Sequence, residues 1–252
     1  MINILRSGKP AQLHRGFSGV MYRDFLAALS RKRQSRNYLE VGVHFGDALA
    51  GIACDTAVGV DPDYRLQEDV TGNKRRTLLH RCTSDRFFAE TDVRALVGGG
   101  IDLAFLDGLH QFEFLLRDVY NTEAVSDRNG LIALHDCMPL NVEMTTRDPA
   151  AARTDPFHAM WTGDVWKLVP ILKAYRPDLD VVLVDCPPTG LVCITGLDPD
   201  SRVLSERYRE IVQAYRDVPD PSDRIAAMYA ETPVVSSAAI LNGEDHSLYF
   251  RV

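Results

Sequence analysis

Short apolar runs alternate along this chain with stretches whose apolar positions recur every three or four residues. The runs are Tyr38 to Val43, a second ending at Asp61, Thr77 to Cys82, Ile101 to Leu106 and Leu131 to Leu134. Between them, Asp47 to Cys54 and Thr83 to about Leu96 read as helices, the second capped by Thr83 or Ser84. Phe112, Leu115, Leu116 and Val119 form a stripe at i, i+3, i+4 and i+7. Val20, Phe25, Leu26 and Leu29 predict a helix over 18–33, and Val165, Leu168, Val169 and Leu172 one over Trp161 to Tyr175. Strand–helix alternation at this spacing predicts a parallel sheet covered on both faces. Leu179 to Cys186 and Gly190 to Gly196 flank a Pro-Pro-Thr-Gly turn, which predicts an antiparallel pair at the sheet edge. Residues 140–160 read as loop, 201–230 as two helices parted at Pro219 and Pro221, and Ser247 to Val252 as a strand or interface segment. Residues 1–17 have no periodicity. The expected organisation is an N-terminal arm and helix (1–35), a central domain (36–200) and a helical extension of it (201–252).

The stretch Tyr38 to Asp61 is the most informative. It reads strand, glycine turn, helix, strand, with an acid at each strand end, Glu40 and Asp61, 21 positions apart. A nucleoside site at the carboxyl edge of a parallel sheet needs this arrangement, with about 20 residues between the first strand and the carboxylate that takes the ribose hydroxyls. The glycines are Gly42 and Gly46, and the middle position that would admit a pyrophosphate carries His44 instead. Glu40 would repel a pyrophosphate and suits a cationic group. The pattern Glu40-x-Gly42-x-x-x-Gly46 with Asp61 therefore resembles the first two motifs of class I S-adenosylmethionine-dependent methyltransferases. In that family the acid and glycines line the methionine and ribose part of the cofactor.

Composition changes this picture little. Hydrophobic residues make up 46% and charged residues 25% of 252, as in soluble globular domains. No apolar run reaches the ~20 residues of a membrane span, and no secretory signal pattern is present, so a cytoplasmic protein is expected. Five dispersed cysteines show no metal-type spacing and are expected to be reduced. A net charge of −7 argues against nucleic-acid binding. Residues 1–36 nevertheless hold eight Lys/Arg against one acid, Asp24. Arg31, Lys32 and Arg33 complement the dipole of the first helix, or meet an anionic substrate.

Two more clusters fall at expected strand ends: Asp107-Gly108-Leu109-His110 and His135-Asp136. Neighbouring strands lie ~5 Å apart, so these four polar side chains would converge beside the cofactor. Two carboxylates and two imidazoles suit a divalent cation. F-L-D-G-L-H followed by L-I-A-L-H-D-C-M-P resembles the branch of the family that methylates oxygen in bacterial sugar, polysaccharide and natural-product pathways. The resemblance covers about residues 36–139, with a weaker echo at Trp161 to Lys167. It implies an α/β, Rossmann-like doubly wound sheet of seven strands, mostly parallel with an antiparallel last strand. It implies S-adenosyl-L-methionine as cofactor, a small-molecule or sugar acceptor, and Asp107, His135 and Asp136 as ligands for Mg²⁺ or Mn²⁺. His110 becomes the candidate base, with Asp107 and His135 beside it in the chemistry. Ser84 and Asp85 stand where the family contacts adenine, or cap a helix, and His44 shapes the pocket or packs. Family members with a Mg²⁺ site usually carry two acids at the fifth strand, so His135 leaves metal dependence open. Trp161, Asp164, Trp166 and Lys167 belong to acceptor recognition or to the core. His14, His80, His158 and His246 have no identifiable partner. The N-terminal helix and the C-terminal tail are the expected parts of any homodimer contact. The rival readings are a non-catalytic protein that binds the same cofactor, and a nicotinamide-dependent oxidoreductase.

Overall fold

The computed structural model describes residues 16–152, 160–218, 221–243 and 250. His14, His158, His246, most of the N-terminal arm and nearly all of the Ser247 to Val252 tail lie outside these residues. The strands are β1 Asn37–Val41, β2 Cys54–Val60, β3 Lys74–His80, β4 Ile101–Leu106, β5 Ser126–His135, β6 Asp180–Val184, β7 Leu191–Thr195 and β8 Val234–Val235. They form one sheet in the order β3-β2-β1-β4-β5-β7-β6-β8. β7 runs antiparallel to both β5 and β6, and the other pairings are parallel.

The helices are α1 Tyr22–Arg33, α2 Asp47–Gly51, α3 Ser84–Glu90, α4 Val93–Val97, α5 Phe112–Val125, α6 Pro149–Ala152, α7 Leu168–Tyr175, α8 Val203–Glu206, α9 Tyr208–Tyr215, α10 Pro221–Glu231 and α11 Ser237–Asn242. Side chains alternate along β4 and β5, so each strand feeds two cores. Leu103, Phe105, Leu131 and Ala133 pack with Phe25, Leu26 and Leu29 of α1, Leu49 of α2 and Ile240 of α11. Ala104, Leu106, Ile132 and Leu134 pack with α3, α4, α5 and α7 to α10 on the other face. The sheet is thus wound on both sides, as the alternation in the sequence implies.

Three expectations are corrected. The sheet has eight strands, because Val234–Val235 adds to β6 beyond the two helices read over 201–230; two residues carry no legible alternation. β7 is interior because it lies between β5 and β6, and β8 covers β6 in turn, so the expected antiparallel pair does not end the sheet. The helix read from Thr83 to Leu96 breaks at Thr91 and Asp92, where the Asp92 carboxylate accepts the Ala95 N–H and starts α4 afresh. The helix read from Trp161 begins later, as a 3₁₀ turn over Val165–Lys167 leading into α7.

Helix α1 crosses the depth of the sheet, about 18 Å at 1.5 Å per residue. Its first residue, Tyr22, packs its ring against His135 at the carboxyl end of β5, tilted by 39° with ring centroids 4.3 Å apart. Its last turn lies at the opposite edge: Arg33 donates to the carbonyl of Asn129, near the start of β5, and Lys32 to the carbonyls of Leu241 and Gly243. Lys32 and Arg33 thus tie elements together far from the strand ends where ligands bind, which argues against these two meeting an anionic substrate.

Candidate active site

A cleft of about 660 Å³ opens over the carboxyl ends of β1, β2, β4 and β5. Gly42, His44, Asp61, Ser84, Asp85, Asp107, His110, His135 and Asp136, all singled out above, line it. Glu40 and Gly46 do not. Glu40 is buried beneath the turn, its Oε2 accepting the Tyr38 hydroxyl at 2.5 Å. Burial pushes its pKa up to about 8 against that bond and Lys74, so near neutral pH it is mostly protonated and braces the turn from below. Gly46 has φ +87° and precedes α2, where a Cβ would meet Val70 at 2.7 Å.

Gly42 has φ +88°, and a Cβ there would lie 2.0 Å from the carbonyl oxygen of Asp107. That close approach lets the ends of β1 and β4 share one floor, since Asp107 N–H also donates to Val41 at 2.8 Å. Asp61 is nearly buried, and its two oxygens accept the backbone N–H groups of His44 (2.8 Å) and Asp63 (2.7 Å). Each oxygen keeps a lone pair for a vicinal diol. His44 has φ +46° and an exposed ring, so it turns the chain rather than filling a core.

The two strand-end clusters meet. His110 Nε2 lies 3.5 Å from Asp107 Oδ1 and 3.2 Å from Asp136 Oδ2. His135 Nδ1 lies 3.3 Å from the same two oxygens. Asp136 reaches back over the cleft because its φ is +58°, a conformation that Asp tolerates better than most residues. Its Oδ1 accepts the hydroxyl of Thr189 at 2.7 Å. Burial alone would favour neutral imidazoles, but the carboxylates outweigh it and raise His110 to about 9 and His135 well above its ordinary value. The same contacts hold Asp107 well below the usual carboxylate range despite its burial. One ligand atom from each of Asp107, His110 and Asp136 falls within 4.8 Å of the others, so His110 takes the place in the metal set that the resemblance gave to His135. This set of one nitrogen and two oxygens fits a divalent cation, Mn²⁺ more readily than Mg²⁺.

The wall beside His110 is Trp161, stacked on its ring at 4.9 Å, with Nδ1 of His110 3.1 Å from the Trp161 carbonyl oxygen. Gly163 permits this, since a Cβ there would collide with the His110 carbonyl oxygen at 1.9 Å. The neighbouring residues serve structure. Asp164 accepts the Phe112 N–H at the start of α5, Lys167 and Arg147 both pair with Asp164, and Trp166 is core. The sequence reading missed Tyr22, Asp118 and Thr189. Asp118 had a signal, an acid three residues beyond Leu115 on the flank of the apolar stripe. Thr189 had none, because it was read as part of a turn.

Residues 16–137 match the sequence model of a family described as a methyltransferase domain. No curated protein matches in sequence. Among solved structures, cofactor-bound Rv0187 from MTB shares 17% identity over 75% of this chain and 82% of that one, with a TM-score of 0.51, a likeness of fold. SAH-bound methyltransferase PaMTH1 from Podospora anserina shares 15% identity over 70% and 78%, with a TM-score of 0.49. The O-methyltransferase TomG from Streptomyces achromogenes, in complex with SAM, shares 16% over 69% and 78%, with a TM-score of 0.47. The match makes residues 16–137 a methyltransferase domain, and the strand order places Gly42, Asp61 and Asp107 on one cleft, where the sequence reading expects S-adenosylmethionine.

Proposed function

We propose that this enzyme methylates a hydroxyl oxygen of a small, uncharged polar acceptor such as a sugar, with His110 as the base. The observation that carries the reading is the position of His110 Nε2, in the cleft and between two carboxylates. Asp61 takes the ribose hydroxyls, Gly42 gives the backbone its close approach, and the methionine end points toward Asp107. A neutral hydroxyl is a weak nucleophile, so its proton has to leave as oxygen attacks the sulfonium methyl. His110 Nε2 receives it, and Asp136 and Asp107 stabilise the imidazolium that results. His135, hemmed in by Tyr22, Thr189 and both carboxylates, fixes their orientation.

Asp107, His110 and Asp136 are the residues that would hold a divalent cation, and it would act in place of the His110 base, supplying positive charge that lowers the pKa of the acceptor hydroxyl. Five carboxylates (Asp61, Asp85, Asp107, Asp118, Asp136) line the cleft, and no Lys or Arg does among the described residues. That balance supports a neutral acceptor over a phosphorylated or nucleotide-linked one. Trp161 and the half-exposed Leu109 offer it a flat apolar wall. Residues 36–200 form the cofactor-binding unit in this reading, and 201–252 extend it.

The test is turnover of a panel of neutral hydroxyl acceptors with S-adenosylmethionine, in EDTA and with Mn²⁺. Methylated oxygen in the product supports the reading. Methyl transfer confined to nitrogen or to anionic acceptors overturns it.

A further inference from the structure

The opposite end of the sheet carries a second recess. A groove of about 470 Å³ opens at the amino ends of β1, β2 and β3, against the C-terminal end of α4. Arg36, Arg75 and Arg76 line it with one carboxylate, Asp55. This charge balance is the reverse of the active-site cleft's, and the two recesses share no lining residue.

Exposed arginines alone would make a solvated rim, but the floor here is buried. Asn37, Thr56 and Arg76 are partners in register across the three strands, so their side chains share one face. Asn37 and Thr56 are only 6% and 8% exposed, and both line the groove. Asn37 Nδ2 donates to the Gly100 carbonyl at 2.9 Å. Its Oδ1 and the Thr56 hydroxyl have no hydrogen-bond partner among the described residues. Two buried polar groups are thus turned to the groove with bonding capacity unused, which is costly unless a ligand or water takes it up.

The arginines are set in the same way. Arg76 Nη2 donates to the Leu96 carbonyl at 2.8 Å, which fixes it against α4. Asp102 Oδ2 accepts the backbone N–H groups of Arg36 (2.7 Å) and Asn37 (2.9 Å), so the chain enters β1 in one position. The nearest carboxylates to the other two guanidinium groups stand beyond hydrogen-bond distance. Arg36 is 3.9 Å from Asp127, which also faces Arg94, and Arg75 is 4.0 Å from Asp55. Both forks keep their donors, and guanidinium forks match phosphate oxygens in pairs. Three arginines against Asp55 leave a surplus of positive charge that a phosphomonoester, close to a dianion at neutral pH, would balance. The volume is that of a small-molecule site, so there is room for the group that bears the phosphate.

We propose that this groove binds a hydroxylated small molecule bearing a phosphomonoester, of the sugar-phosphate type, at a site separate from the methyl-transfer cleft. The phosphate meets Arg36, Arg75 and the Thr56 hydroxyl, and a hydroxyl of its carrier donates to Asn37 Oδ1. Because no residue is shared with the cleft, S-adenosylhomocysteine neither blocks this binding nor is needed for it.

Calorimetric titration of the full chain with glucose 6-phosphate and ribose 5-phosphate tests it, with glucose and inorganic phosphate as controls. At least one sugar phosphate is expected to bind saturably and more tightly than inorganic phosphate, equally with and without saturating S-adenosylhomocysteine, while glucose does not bind. Arg36→Ala with Arg75→Ala should weaken that binding about 10- to 100-fold, and Thr56→Val about 3- to 10-fold. Affinity for S-adenosylhomocysteine should stay unchanged in these variants, which shows that they fold. Failure of both sugar phosphates to bind overturns the proposal, as does binding that the double arginine variant leaves intact. Inorganic phosphate binding as tightly as either sugar phosphate overturns the ligand class, and competition by S-adenosylhomocysteine overturns the location.

Discussion

His110 Nε2 lies 3.2 Å from Asp136 Oδ2, which joins the loop after β4 to the turn after β5. Neither residue is a neighbour of the other in sequence, and the contact exists because β4 and β5 are adjacent and in register from Leu103–Leu131 to Leu106–Leu134. A base removed from this position should cost the rate of transfer and not the cofactor. We expect His110→Ala to lower kcat about 10²- to 10⁴-fold while the Kd for S-adenosylhomocysteine stays within a few-fold. Calorimetry and steady-state turnover check the two halves separately.

The charge around His110 sets its pH dependence. Burial lowers its pKa and the Asp136 and Asp107 carboxylates raise it more, to about 9. A base must be unprotonated, so in EDTA the acid limb of kcat/KM should extend to about pH 9. Asp136→Asn removes the largest raising influence and should move that limb to lower pH. A limb that does not move would separate His110 from the proton transfer.

Glu40 makes a stability prediction with a definite sign. Its pKa is raised from 4.5 to about 8, so the folded chain holds a proton that the unfolded chain has released between those values. The Glu40 contribution is fully present below about 4.5 and is lost as pH rises through about 8. Glu40→Gln keeps the bond from Tyr38 and cannot ionise. Urea unfolding at a series of pH values should therefore show a shallower decline for the variant than for the wild type. Because Glu40 does not line the cleft, S-adenosylhomocysteine binding should change little.

Gly42→Ala should be severe. The backbone is left-handed there, and the new methyl would sit 2.0 Å from the Asp107 carbonyl oxygen. Strain of ~1–3 kcal/mol adds to the displacement of β4 from β1. We expect a fall in Tm on the order of 10 °C and loss of cofactor binding, read by thermal denaturation and calorimetry.

The basic run makes a contrasting prediction. Lys32→Ala with Arg33→Ala should leave cofactor affinity and acceptor KM within about two-fold, because the bonds lost are to Leu241, Gly243 and Asn129. Stability should fall by about 1–2 kcal/mol for those hydrogen bonds. A large change in KM would return the anionic-acceptor reading.

Local order was legible where one residue type does one job. Gly42, Asp61, Asp107 and Asp136 end strands whose apolar runs stand out in the sequence, so their place at one sheet edge followed from the alternation of strands and helices. The break between α3 and α4 was not legible, because Thr91 and Asp92 are tolerated inside a helix and only packing decides that they end one. Strand β8 was invisible for a similar reason: Val234 and Val235 become a strand only where β6 offers them an edge.

Within the site, the sequence by itself determined which chemistry was available: two carboxylates, two imidazoles and a glycine turn. Periodicity places residues along an element, and strand order places the elements side by side. Direction and partnership are different, since they depend on side chains from segments distant in the chain. Only the tertiary structure decided that Glu40 turns under the floor, that Asp85 is spent on Arg117 while Asp118 stays on the cleft, and that Arg33 points to the far edge. Each of those outcomes is a competition for a hydrogen-bond partner, and the competitors meet only once the sheet has assembled.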